Sequence, residues 1–185
     1  MRRSMIPMLV AACGLSTPLV AQHAIAGGIA ATVGGSWQVE AVDVGYVQAV
    51  HAGPLRSASI GGRFGQWVDE SQISGGSRGF VAALVLQTRT GLHRLADVGS
   101  ETNPSAVGLD LSFEGILYGS ANNPLSEVGS AWGAFSVLPG VRIGDADHVR
   151  YGLVVGPTVF VGPQVEVRPF VSVRIEMPMA HHKRP

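Results

Sequence analysis

Residues 165–176 read V-E-V-R-P-F-V-S-V-R-I-E, an almost unbroken two-residue alternation. Val165, Val167, Pro169, Val171, Val173 and Ile175 share one parity, and Glu166, Arg168, Phe170, Ser172, Arg174 and Glu176 share the other. Successive side chains of a strand point to opposite faces, so a strand here carries four charges on one side and an aliphatic row on the other. A helix would scatter those charges around its circumference. The stretch is therefore predicted as a strand, and the fold has to find an environment for both of its faces.

The same period recurs along the chain. Val107, Leu109, Leu111 and Phe113 alternate with Gly108, Asp110, Ser112 and Glu114, and residues 55–68 set Ala58, Ile60 and Phe64 against Ser57, Ser59 and Arg63. Residues 36–50 switch apolar parity from Trp37/Val39/Ala41 to Val42/Val44/Tyr46, which predicts a β-bulge near 41–42. Further strands are expected at 79–90, 131–143 and 149–160, and a weaker, glycine-containing one at 25–33. Gly34-Gly35, Ala52-Gly53-Pro54 and Gly162-Pro163-Gln164 are turn signals. Polar loops are expected at 69–77, 92–106 and 119–131. The predicted fold is all-β: an antiparallel up-and-down β-barrel of about eight strands behind an N-terminal signal segment, with a β-sandwich left open.

Arg2-Arg3 precede an uncharged, mostly apolar run at 5–20, and small residues follow at Ala21, Ala24 and Ala26. This reads as a secretory signal peptide over 1–24, cut between 21 and 26, leaving a barrel domain at 25–176 and a tail at 177–185. Cys13 is the only cysteine, and V-A-A-C resembles a lipobox, so a lipid anchor at Cys13 stays open. If Cys13 is removed, the mature chain has no thiol for a disulfide, a metal or nucleophilic attack.

Composition decides where the apolar mass can go. A net charge of zero and a pI near 7 give no nucleic-acid footprint. The chain is 46% hydrophobic, yet no stretch after residue 35 approaches the roughly 18 apolar residues of a membrane helix. The apolar faces must therefore fill a large β core or coat the wall of a barrel. Charges on the polar parity nearly balance, with Glu40, Asp43, Asp110, Glu114, Glu166 and Glu176 against Arg63, Arg89, Arg142, Arg150, Arg168 and Arg174. A narrow barrel would hold them inside as ion pairs, because unpaired buried charge is costly, and a sandwich would leave them in water. Trp37, Trp67, Tyr118 and Trp132 fall at one end of an up-and-down barrel, where an interfacial aromatic girdle is expected.

The strand V-G-L-D-L-S-F-E, the final hairpin V-F-V-G-P-Q-V-E-V-R-P-F-V-S-V-R-I-E and the signal segment together resemble the small eight-stranded outer-membrane β-barrels of the outer-membrane protein A and X type. The resemblance implies a bacterial outer membrane, lipid around the wall, a structural or surface-interaction role with a surface or periplasmic protein partner, and no cofactor. Eight strands leave an interior just wide enough for side chains, so a general diffusion pore is not expected. The family usually ends on an aromatic residue, whereas this chain runs on through Met177-Pro178-Met179 to His181-His182-Lys183-Arg184-Pro185. Two other readings stay open. One is a soluble exported barrel or sandwich in the periplasm that binds a small apolar ligand or a protein; it requires Val107, Leu109, Leu111 and Phe113 to point into a core. The other is a lipid-modifying outer-membrane barrel enzyme.

No motif assigns catalytic residues, metal ligands or a cofactor site. His51, His93 and His148 fall near one rim without metal-ligand spacing. Gly75-Gly76-Ser77-Arg78-Gly79 reads as a loop rather than a nucleophile elbow. Gly61-Gly62-Arg63-Phe64-Gly65 lacks the following helix of a dinucleotide loop. Asp145-Ala146-Asp147 lacks calcium-loop spacing and reads as a turn. His181-His182 reads as exposed tail.

Overall fold

Alternation on this scale leaves two sheet edges to be satisfied, and the chain satisfies them by closing on itself. The computed structural model describes residues 23–35, 37–69, 76–100, 103–119, 132–145, 148–162 and 165–179. Its eight strands are β1 (His23–Thr32), β2 (Trp37–Ala52), β3 (Leu55–Asp69), β4 (Gly76–Ser100), β5 (Asn103–Tyr118), β6 (Gly133–Ile143), β7 (Arg150–Val161) and β8 (Val165–Pro178). Each pairs antiparallel with the next, and β8 returns to β1 from Ala24↔Pro178 to Thr32↔Phe170. The amphipathic 165–176 stretch is thus the closing strand, and closure leaves no unpaired edge in the wall. Both ends of the ring exceed the 25–176 expectation. β1 begins at His23, β8 runs to Pro178, and the Met179 amide donates to the His23 carbonyl at 2.8 Å. Of the expected signal peptide at 1–24 and tail at 177–185, residues 1–22, Cys13 among them, and 180–185 lie outside the described residues.

The up-and-down order gives the barrel a terminal end, with His23, Met179 and the turn at 53–54, and a loop end, with the connections around 34–35, 70–75 and 120–131. The two faces of the wall are chemically inverted relative to a water-soluble core. Ile29, Val42, Val44, Ile60, Phe64, Leu84, Leu86, Val155, Val167 and Val173 all point outward and are exposed. Arg63, Asp110, Ser112, Glu114, Ser136, Thr158, Arg168, Ser172 and Glu176 are buried within. Val107, Leu109, Leu111 and Phe113 share the outward parity, opposite buried Asp110, Ser112 and Glu114. They do not enter a core.

Three local expectations are corrected. No bulge occurs at 41–42, where β2 keeps continuous register with both β1 and β3. The parity switch has another cause: Trp37, Val39 and Ala41 are buried inside the loop end, while Val42, Val44 and Tyr46 belong to the outer wall. Residues 92–106 are not a loop. β4 and β5 continue past the terminal end as a two-stranded hairpin: residues 91–100 of β4 have left β3 and pair with residues 103–110 of β5, of which 103–106 have no register partner on β6. Register shifts at Gly91/His93 and Arg94/Ala96 break the two-residue period there and bring exposed Leu92, Leu95 and Val98 to a spacing of three. Residues 76 and 77, expected in the 69–77 loop, begin β4.

Where the interior carries no charge, hydroxyls hold neighbouring strands. Ser136 on β6 and Thr158 on β7 are register partners, fully buried, with their oxygens 2.7 Å apart. Ser136→Ala leaves the Thr158 hydroxyl without this partner, and we expect a loss of about 1–2 kcal/mol in the equilibrium unfolding free energy. An unchanged urea midpoint would show that the pair contributes nothing.

Candidate functional site

The interior is built in three storeys. At the loop end, Trp37 from β2, Trp67 from β3, Tyr118 from β5 and Phe160 from β7 pack as one aromatic cluster over Val39, Val81 and Ile116. Ring centroids of Trp37 lie 5.3 Å from Trp67 and 5.0 Å from Phe160, both edge-to-face, a favoured quadrupole geometry. The expected interfacial girdle is therefore largely an internal plug: Trp37 and Trp67 are 1% and 0% exposed, and of the four only Trp132 is open to the outside, at 62%. Arg168 stacks its guanidinium 4.7 Å from the Trp37 ring, pairs with Glu166 and donates to the Gly34 carbonyl at 2.6 Å.

The middle storey is a chain of ion pairs spanning the barrel. Arg63 on β3 binds Asp43 on β2 through two bonds of 2.7 and 2.8 Å and reaches Glu114 on β5 at 3.3 Å. Glu114 also accepts from Arg174 on β8, which in turn donates to Ser172 at 3.3 Å. Arg63 and Glu114 are each 1% exposed, so both depend on this pairing. Eleven of the twelve charges expected to line the interior do so; Glu40 is the exception. It is exposed on the outer wall, where Gln38 and Gln66 donate to it at 3.3 Å.

Small residues make room for this packing. Around the ring, the register runs Gly28–Arg174–Gly152–Arg142–Gly108 across β1, β8, β7, β6 and β5. A Cβ on Gly28 would meet the Val173 carbonyl and lie 3.3 Å from the Arg174 side chain. On this row glycine and arginine alternate, each glycine leaving room for a neighbouring arginine stem.

The lowest storey opens at the terminal end. Arg89 on β4 and Arg150 on β7 both grip Glu176, and Arg142 on β6 donates to Asp110 at 2.7 Å. Below them a cavity of about 460 Å³ is lined by Arg56, Arg89, Arg94, Arg142 and Arg150, with His93, Asp110 and Asp145. No family model, curated protein or solved structure matches this chain. The site is read from its own geometry.

That geometry brings together what the sequence left dispersed. The terminal mouth collects Arg89, Arg142 and Arg150 from three strands, as the inward parity implied. It adds Arg56 and Arg94, which the alternation missed because each lies at a register irregularity: Leu55/Ser57 for Arg56 and Arg94/Ala96 for Arg94. His93 and His148 are exposed at this end, and the His51 and Asp147 side chains lie outside the described residues. Among the described residues no three His, Cys, Asp or Glu side chains gather into a metal-holding group. Gly61–Gly65 is continuous β3, with Gly61 pressed against the Val44–Gly45 backbone. A second concavity, about 730 Å³, lies on the outer wall between Ile29, Val42, Phe64, Phe80 and Val173, with Glu40 and Gln66 at its edge.

Proposed function

We propose that this chain is an outer-membrane β-barrel with a structural or surface-interaction role, of the same general kind as the small outer-membrane protein A- and X-like barrels. The observation that carries the reading is the inverted wall, with aliphatic side chains outside and paired charges within. In water, so many exposed aliphatic residues on one continuous surface would be an aggregation hazard; around a barrel in lipid they are the required solvent-matching surface. The outward face of β2 fits this dimension. Val42, Val44 and Tyr46 are bounded by polar Glu40 and Gln48, eight residues apart, which is about 26 Å along the strand and about 20 Å of height at a tilt near 40°. The aromatic plug and the ion-pair storey fill the interior, so the barrel is not an open channel, and its outward business falls to the loop end and to the hairpin of residues 91–106.

Expression in a Gram-negative host followed by fractionation should place the protein with outer membranes. The folded barrel should also migrate faster than the boiled chain on a denaturing gel. A soluble periplasmic pool whose migration is unaffected by boiling would overturn the proposal.

A further inference from the structure

Among the described residues, the terminal mouth holds more positive charge than its own carboxylates neutralise. Of the guanidiniums lining the 460 Å³ cavity, Arg142 pairs with Asp110, Arg89 and Arg150 share Glu176, and Arg94 pairs with Asp97. Arg56 is exposed to solvent and has no hydrogen bond or ion pair among the described residues; it lines the same space, its Nε 3.4 Å from where a Cβ on Gly91 would stand. Arg150 adds a second unused donor: its Nε is buried with no acceptor among the described residues. A buried guanidinium donor without an acceptor is costly, and the planar fork of an arginine matches the oxygen pairs of carboxylates and phosphates. The cavity also ends blindly. Above it the ion pairs and the aromatic plug fill the barrel, so what enters from the terminal end is held there rather than passed through.

We propose that the terminal mouth binds a small phosphate-bearing anion, with the buried Arg150 Nε as the unsatisfied donor, exposed Arg56 as the unpaired cation at the opening, and Arg89 and Arg142 as the surrounding positive field. The cavity volume suits a ligand of a few to some twenty heavy atoms, and guanidinium forks take phosphate oxygens two at a time. The phosphate could belong to a free solute or to a lipid headgroup, since the mouth lies at the edge of the apolar wall. This inference requires only the folded barrel, not its residence in a membrane, so it can fail while the preceding proposal stands, and the reverse.

The test is calorimetric titration of the full chain, refolded in neutral detergent, with inorganic pyrophosphate at constant ionic strength. A parallel arm adds phosphatidylglycerol to the micelles as competitor. Saturable one-to-one binding is expected, weakening by about tenfold in Arg56→Gln through the loss of one charge-assisted contact, and unchanged in Glu40→Gln on the outer wall. Competition by phosphatidylglycerol assigns the natural phosphate to a lipid headgroup; its absence assigns it to a free solute. Every protein is first shown to be folded by its gel shift on boiling. No saturable heat with folded wild-type protein overturns the proposal, as does equal affinity in wild type and Arg56→Gln, or an equal loss in Glu40→Gln.

Discussion

Glu114→Leu is expected to destabilise the folded barrel by about 3–5 kcal/mol, the largest effect of any single substitution in the charged storey. Glu114 is 1% exposed and accepts from Arg63 on one side and Arg174 on the other. Its removal affects the two arginines unequally. Arg63 keeps its two bonds to Asp43, whereas Arg174 keeps only the Ser172 hydroxyl at 3.3 Å. The cost therefore falls on Arg174, a cation held in the interior without a carboxylate. Combining Glu114→Leu with Arg174→Met removes that stranded charge and should recover most of the loss, because replacing both members of a buried pair by apolar groups is often close to neutral. Urea unfolding followed by tryptophan fluorescence measures both variants, since Trp37 and Trp67 sit inside the loop end and report on its opening. A loss below about 1 kcal/mol in the single variant, or no recovery in the double, would mean that water rather than Glu114 satisfies Arg174.

The pairing at stake in that experiment is partly legible in the amino-acid sequence. The alternation of 165–176 and 107–114 determines which residues share a face, and near-equal numbers of acids and arginines on the polar parity meet what an enclosed, paired interior requires while also permitting a solvated face. What alternation cannot give is which acid meets which base. Asp43 and Arg63 are register partners, but Glu114 and Arg174 come from strands on different sides of the ring and meet only across the lumen. Parity also misleads where the interior itself changes chemistry. The apolar-to-charged transition along β2 imitates a bulge, and the inward aromatics of the plug imitate a girdle. Where true irregularities occur, beside Arg56 and Arg94, the period is lost and the residues escape notice. The mouth takes Arg56 and Arg94 from such positions, so the sequence pattern describes it less completely than the ion pairs above it.

Val44→Arg is expected to cost about 2–4 kcal/mol when unfolding is measured from phospholipid bilayers. Val44 is 53% exposed on the outer wall, flanked in register by Gly27 on β1 and Gly62 on β3, and lies midway between Glu40 and Gln48. If the wall meets hydrocarbon, an arginine at that depth has neither water nor a partner. On a wall that meets water the same change would fall within about ±0.5 kcal/mol, the usual range for surface substitutions. Gln48→Arg, four residues toward the terminal end, supplies the depth control: near the interface the cost should shrink to about 0–1 kcal/mol. The gradient between the two positions carries more information than either value, because general damage to β2 would affect both alike. A silent Val44→Arg in a folded barrel would place water against the aliphatic wall, and the membrane reading would then have to be given up even though the fold stands.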